Sequence, residues 1–563
     1  MSSPFASRLG TNHCPQDEEL ARIKGLLIEP CLRLKRLEDD IAVMQKAIDK
    51  LKEERDAVSA FVEAHKALAS PLRRLPLDLI QEIFMACLPT NRNCVMSAIE
   101  APVLLGRVCS SWRNISLSTP RLWSRLHVVE PTRPYNDTSG IYETKVAQRL
   151  EVANAWLQRS GMCPLSISLE SNLDHPDEDV TPPLSPQPLF TPSQDLFLDA
   201  LIPFSSRWQN IRLSIPAMAL QKLAHLTEAD VPLLQYLKIV QGPEHPGSNN
   251  THQSNGTLSL SSILRGPNLS RFSLTGSSND PSNLPLRWNQ LTALSLVGPA
   301  WGTGFAQTCM VIWDILSRCP KLRACKLLVH GPPEGDHAGS IIECPSLHAL
   351  DLVCIDTPLH TLGILLSPLS LPALRDFGLS SGLGGFPGVF NADGVVAALV
   401  ASTHLERVSV DTNTFSKSSL MGFLRGLPPT VRRLQITEPA HVWRPSLVEP
   451  TLDDEVLAVL NASPDSPAHC PALEEFVIHH CRTVSDEALL RFIVSRVPTL
   501  RLVEVKFDRE RQVDILPNLP SFVEAGGKTS LTYITLTPPQ FSPWLGLPDM
   551  PLSLGMRPLP PFY

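Results

Sequence analysis

From Leu34 to Val62 the apolar residues advance by alternating steps of three and four: Leu34, Leu37, Ile41, Met44, Ile48, Leu51, then Val58 and Val62, with charged residues in the gaps. Two apolar positions in every seven make a narrow helical seam. Leu34, Ile41, Ile48 and Val62 take the a position and Leu37, Met44, Leu51 and Val58 the d position. Arg55 at a and His65 at d weaken the seam toward its end. A helix is expected within 17–69, with its heptad part from Leu34 to Ala69 bracketed by Pro30 and Pro71 and about 50 Å long at roughly 1.5 Å per residue. Two readings stay open: a short coiled coil pairing two chains, a possible homodimer, or a helix folded back on its own chain. Residues 1–16 read as a disordered tail.

Over 70–126 the pattern shortens. Pro76 suits a first helical turn, and Leu79, Ile80, Ile83, Phe84 and Cys87 form one broad apolar stripe. A second helix is expected from Val103 through Val108, Cys109 and Trp112 to Ile115. A third short element follows Thr119-Pro120 and carries Leu122 and Trp123. Three short helices bury little surface alone, so their large apolar side chains point to a partner.

Downstream one spacing recurs: apolar, two residues, apolar, one residue, apolar. It appears as Trp208-Ile211-Leu213, Leu234-Leu237-Ile239, Leu269-Phe272-Leu274, Leu291-Leu294-Leu296, Leu322-Cys325-Leu327 and Leu347-Leu350-Leu352. It continues as Leu374-Phe377-Leu379, Leu405-Val408-Val410, Val431-Leu434-Ile436, Leu473-Phe476-Ile478, Leu500-Val503-Val505 and Leu531-Ile534-Leu536. The mean period of about 29 residues lies at the upper edge for leucine-rich repeats. Helices are expected between strands over 307–317, 392–401, 453–461 and 486–494. One strand and one helix per unit, each too small to bury its face alone, give a solenoid.

The expected fold class is therefore mixed: an all-α N-terminal part and a C-terminal α/β leucine-rich-repeat solenoid over 208–540. Between them, 127–207 holds a helix (142–159), a strand with Leu165, Ile167 and Leu169, and a Pro-rich acidic loop (172–193) whose Thr181-Pro182, Ser185-Pro186 and Thr191-Pro192 pairs are possible phosphorylation sites. Residues 541–563 form a Pro-rich tail. Alternation along each strand sends Arg407, Asp411, Arg433, Gln435, Glu475, His479, Glu504 and Lys506 outward as candidate target-binding residues. A merely solvated face has the same composition.

Length, at 563 residues, requires several modules or one long array. The net charge of -7, with no long basic run, leaves no electrostatic footprint for DNA or RNA. No stretch reaches the roughly 18 consecutive apolar residues of a membrane span, and Met1–Gly10 carries no apolar signal core. A soluble cytoplasmic or nuclear protein is expected. The 13 cysteines, never in a Cys-x-x-Cys pair, suggest buried free thiols rather than a disulfide framework or zinc ribbon.

Three enzyme-like signals fail on context. Gly378-Leu379-Ser380-Ser381-Gly382 matches a nucleophile elbow, but the glycines and proline of 383–388 cannot start the required helix. Gly527-Lys528-Thr529 resembles the end of a phosphate loop, but Phe522 stands where its first glycine is needed. His469, Cys470, His479, His480 and Cys481 have no familiar zinc spacing. No catalytic residue, metal or cofactor is expected.

The helical module resembles an F-box in its Leu75-Pro76, its Leu79-Ile80-x-x-Ile83-Phe84 stripe, its Val108-Cys109-x-x-Trp112 core and its Pro120-x-Leu122-Trp123 ending. With the heptad helix before it, the chain resembles the F-box proteins of mushroom-forming fungi. The loop Thr90 to Glu100 is longer than that family's pattern. The unit from Cys470 to Leu489 is similar to cysteine-containing leucine-rich repeats, with Cys481, and Asn413 in its own unit, in the slot that satisfies the turn backbone. The resemblance implies an adaptor of a Skp-cullin-F-box ubiquitin ligase. Leu75, Pro76, Leu79, Ile80, Ile83, Phe84, Val108, Cys109, Trp112, Leu122 and Trp123 would dock on the Skp subunit, and the repeats would bind a protein target. A non-ligase interaction scaffold is the alternative, and a serine hydrolase a distant one.

Overall fold

The computed structural model describes residues 3–69, 74–131, 140–171, 196–241, 262–276, 280–298, 308–331, 341–355, 357, 359–382, 392–438, 451–462 and 469–534. The Pro-rich loop, its Ser/Thr-Pro pairs and the C-terminal tail lie outside them. The chain divides into two compact units, Met1–Ala86 and Cys87–Tyr563.

In the first unit a single helix, α1 (Asp17–Leu68), runs for 52 residues, about 78 Å at 1.5 Å per residue. Its start is a capping box between Gln16 and Glu19. Residues 3–16 hold a short 3-10 turn at Ala6–Arg8, and Arg8 pairs with Glu19 at 2.6 Å. Pro30 does not bound the helix as expected but lies inside it. A proline removes one backbone hydrogen bond and crowds one carbonyl. Here Leu, Lys, Glu and Arg, strong helix formers, flank it on both sides and carry the helix through. No described residue of α1 is buried. After it comes α2 (Leu77–Ala86), whose Ile80 N–H donates to the Pro76 carbonyl at 3.2 Å.

The second unit begins with α3 (Leu105–Val108), α4 (Ser110–Leu117) and a 3-10 turn at Pro120–Trp123. Its strands are β1 (Arg125–Val129), β2 (Leu165–Glu170), β3 (Trp208–Ile215), β4 (Tyr236–Gln241), β5 (Arg271–Thr275), β6 (Ala293–Val297), β7 (Ala324–His330), β8 (Ile342–Glu343), β9 (Ala349–Ile355), β10 (Leu369–Ser370), β11 (Asp376–Ser381), β12 (Arg407–Asp411), β13 (Arg433–Thr437), β14 (Glu475–Cys481), β15 (Leu502–Phe507) and β16 (Lys528–Tyr533). Fourteen form one sheet in chain order, every pairing parallel; β8 and β10 pair separately. The returns carry α5 (Ile141–Arg159), α6 (Leu196–Leu201), α7 (Cys309–Ser317), α8 (Leu359–Leu366), α9 (Asp393–Val400), α10 (Lys417–Gly426), α11 (Asp454–Ala458), α12 (Asp486–Ser495) and α13 (Pro520–Glu524), with 3-10 turns elsewhere. A sequential parallel ladder with helical returns is a leucine-rich-repeat-like α/β solenoid, not a closed barrel.

Register explains why the spacing recurs. The middle apolar residues align strand to strand, Leu434 opposite Phe476 and Phe476 opposite Val503, and the third residues do likewise, Ile436 opposite Ile478 and Ile478 opposite Val505. All are buried. Glycine permits the closest helix approach: an added Cβ on Gly394 of α9 would lie 2.8 Å from Gly363 Cα of α8.

The ladder starts earlier than Trp208. β1 and β2 precede β3 in the same sheet, placing Leu126 and Ile167 in the same inner file as Ile211. The last unit is also re-registered. Leu531 lies opposite Val505, not Leu500, so it fills a third slot rather than a first, and it is only half-buried on an edge strand. Leu536 is outside the described residues.

The long loop Thr90 to Glu100 closes the other edge. Val95 forms a parallel bridge to His127, whose N–H donates to the Cys94 carbonyl at 2.7 Å. The Asn93 amide donates to Ser168 Oγ at 3.1 Å and its oxygen accepts from Ser166 Oγ at 2.8 Å. An open parallel edge invites foreign strands, and this loop covers it.

Candidate protein-binding surfaces

The broad stripe expected on α2 is divided by burial. Ile80, Phe84 and Leu88, four residues apart, are buried, whereas Leu79 (48% exposed) and Ile83 (40%) stay open, as does Cys87. Leu75 is half-buried and Pro76 exposed. The same stripe thus has a packed edge and an open apolar edge.

The expected second helix is broken into α3 and α4. Cys109 between them is extended (φ -159°, ψ 170°), and its sulfur accepts from the Trp112 N–H at 3.4 Å, capping α4. The cap captures a donor that continuous helix would have used, which the apolar spacing alone does not reveal. Leu104, Val108 and Cys109 are exposed and Trp112 is half-buried. Leu122 and Trp123 are core instead of docking residues. Both are buried, Trp123 donates from Nε1 to the Ser116 carbonyl at 2.8 Å, and its ring meets Trp156 edge-on at 4.7 Å. Phe84 and Ile80 are likewise unavailable to a partner while packed.

On the ladder the eight predicted outward residues stand on β12 to β15, exposed or half-buried. Arg407 grips Asp376 with two nitrogens, one at 2.7 Å, and Arg433 pairs with Glu475 at 2.8 Å; both are register partners on adjacent strands. Lys506 reaches Glu504 at 3.2 Å. Burial and the nearby Lys506 hold His479 below the ordinary imidazole range. Gln435 is half-buried in a different file, between Ser409 and the buried Val477. Asp411 differs: its carboxylate accepts from Ser381 Oγ at 2.8 Å and from the Asn413 N–H at 2.9 Å, and burial raises its pKa. It serves the turn after β12. Asn413 is itself half-buried, and Thr412 is the buried residue there. In the β14 unit Cys481 fills the slot as expected: it is buried and its thiol accepts from the Val484 N–H, while burial pushes its pKa up to about 12.

A second outward group lies outside the residues expected from the sequence. Arg212, Lys238, Lys326 and Asp351 occupy one file across β3 to β9. Burial, with Arg212 and Lys326 nearby, lowers the Lys238 pKa. Arg212 and Arg271 both lie over the Tyr236 ring, at 5.5 and 5.0 Å. The signal was present, since each file member sits between the second and third apolar residues of its unit.

The enzyme-like motifs acquire structural roles. Ser380 lies within β11, paired with Val353, and Gly378 leaves room for Asp351, whose Oδ1 would be 1.9 Å from an added Cβ. Residues 383–388 lie outside the described residues. Lys528 and Thr529 open β16. Among the described residues no group of three or more His, Cys, Asp or Glu could hold a metal ion, and no helix is long and apolar enough to cross a membrane. All 13 cysteines are free; eight are buried, as expected of free thiols, whereas Cys14, Cys31, Cys87 and Cys109 are exposed and Cys163 is half-buried.

No protein-family model matches this chain, and no curated protein sequence matches it. Among solved structures, the chain is similar to a leucine-rich repeat-containing protein, LegL7 from Legionella pneumophila. The identity is 16% and the TM-score 0.28, over 52% of this chain and 89% of that one.

Proposed function

We propose that this chain is a substrate-recognition adaptor of a Skp-cullin-F-box ubiquitin ligase: its F-box docks on the Skp subunit, and the outward face of its ladder binds a target protein. The reading rests on the F-box resemblance of residues 75–123, and the observation that carries it is the open edge of α2. Leu79 and Ile83 on α2, and Cys87 just beyond it, remain exposed while Ile80 and Phe84 of the same helix are packed, which costs solvation free energy unless a partner covers them. Val108 and Trp112 supply further apolar surface from α3 and α4. Of the residues the resemblance would dock, those left open are Leu75, Pro76, Leu79 and Ile83 in the first unit and, described separately, Val108, Cys109 and Trp112 in the second.

The target face comprises Arg407, Arg433, Gln435, Glu475, His479, Glu504 and Lys506, joined by Arg212, Lys238, Arg271 and Lys326. Mixed charge of this kind sets partner choice and association rate more than raw affinity. A second reading, a repeat scaffold outside any ligase, rests on the ladder alone, whose pairing is independent of α2.

The test is co-purification with the Skp subunit. The wild-type chain is expected to retain it, and Ile83→Asp with Trp112→Asp to lose it while the unfolding transition of the ladder is unchanged. Undiminished association of the double variant would sink the F-box reading and leave the scaffold.

A further inference from the structure

The seam of α1 is longer than its clearest heptads. Extending the frame backward from Leu34 places Leu27 and Leu20 at a and Ile23 at d, so apolar a or d residues run from Leu20 to Val62, with Pro30 and Arg55 as the interruptions. Among the described residues the seam is exposed: Ile41 is 61% exposed, Met44 58% and Leu51 65%. A strict seven-residue repeat drifts about 20° per heptad around a straight helix, or roughly 120° over this length. A straight-sided core could not follow that drift. A second helix supercoiled with it can.

The residue types select the partner. In the central heptads Ile41 and Ile48 at a, with Leu37 and Leu51 at d, are the combination that favours two parallel strands, while Leu20, Leu27 and Leu34 at a and Ile23 at d do not add to that preference. The flanking charges agree. In a parallel in-register pair each g residue faces the e residue five positions on in the other helix. Glu19 then faces Lys24, and Arg33 faces Glu38; the remaining g-to-e pairs are Leu26 with Cys31, Asp40 with Gln45, Ala47 with Lys52, Glu54 with Ser59 and Phe61 with Lys66. Every charged pair is complementary, and none brings like charges together. Arg55, in an a layer, can extend its guanidinium to water past the seam, a cost in stability that also fixes register.

We infer that α1 is a self-association element: two copies of this chain pair through Leu20–Val62 as a parallel, in-register coiled coil. Such a pair would give the adaptor two target faces, and linked sites raise avidity without any new contact. The pairing is independent of the Skp reading, because it uses none of the α2 residues.

Sedimentation equilibrium of the full chain is expected to give twice the 61.9 kDa monomer mass. Ile41→Asp with Ile48→Asp should give monomer, with the ladder's unfolding transition retained. Glu38→Arg should weaken pairing by about tenfold through repulsion from Arg33, and Arg33→Glu with Glu38→Arg should restore it. In a Cys14→Ser, Cys31→Ser background, Leu37→Cys and Leu51→Cys should each form an intermolecular disulfide to its own counterpart. A monomer at every concentration, a trimer, or self-linkage at only one or neither of the two positions, as an antiparallel pair would give, overturns the inference.

Discussion

Glu438, just after β13, shows how one buried carboxyl sets a pH response. Burial raises its pKa to about 7, opposed by the Arg482 N–H, which it accepts at 2.8 Å. A carboxyl raised in the folded state contributes stability that is fully present below its unfolded value near 4.5 and is lost as pH rises through about 7. The loss is at most about 3 kcal/mol. Glu438→Gln keeps the acceptor without the charge, so urea midpoints of the variant should gain on wild type between pH 5 and pH 8; parallel profiles would contradict the assignment. Asp486 titrates in the opposite sense. Burial pushes it up, but Arg509 at 2.7 Å and the Val513 and Gln512 N–H groups outweigh burial and hold it low. None of this was legible from residue types, because Asp411, Glu438 and Asp486 look in sequence like any solvated acid. Their roles depend on donors between 2 and 47 residues away in the chain.

At the scale of elements, legibility followed periodicity. Strands with a full apolar triplet, such as β12 to β15, stood out, as did α7, α9, α11 and α12. β1 did not, because Leu126 and Val128 follow directly on Leu122-Trp123 and read as the end of the helical module. α8 is nearly apolar throughout (Leu359, Leu362, Ile364, Leu365, Leu366), so it has no polar face to set a period, and α10 carries Gly422, Gly426 and two serines that lower helix propensity. The sequence also placed Leu79, Ile80, Ile83 and Phe84 on one face without saying which edge packs. That division predicts opposite outcomes for similar truncations. Phe84→Ala should destabilise by about 3 to 5 kcal/mol, whereas Leu79→Ala, already exposed, should cost below about 1 kcal/mol. Equal losses by thermal or urea unfolding would refute the division of the stripe.

For the whole molecule, the recurring spacing predicted a solenoid, and the sheet carries it further than expected, from β1 to β16, with the Thr90 to Glu100 loop closing its first edge. Each unit contacts its neighbours through register partners, so binding at one place need not be transmitted along the ladder. The adaptor reading therefore assigns its two partners to separate surfaces. Amide hydrogen exchange of the chain with and without a purified Skp subunit tests this most directly. Slowed exchange is expected in Leu77–Ala86 and across Leu104–Leu117, with the strands from Arg407 to Phe507 unchanged. Unchanged exchange in Leu77–Ala86, or protection confined to the strands, would contradict it.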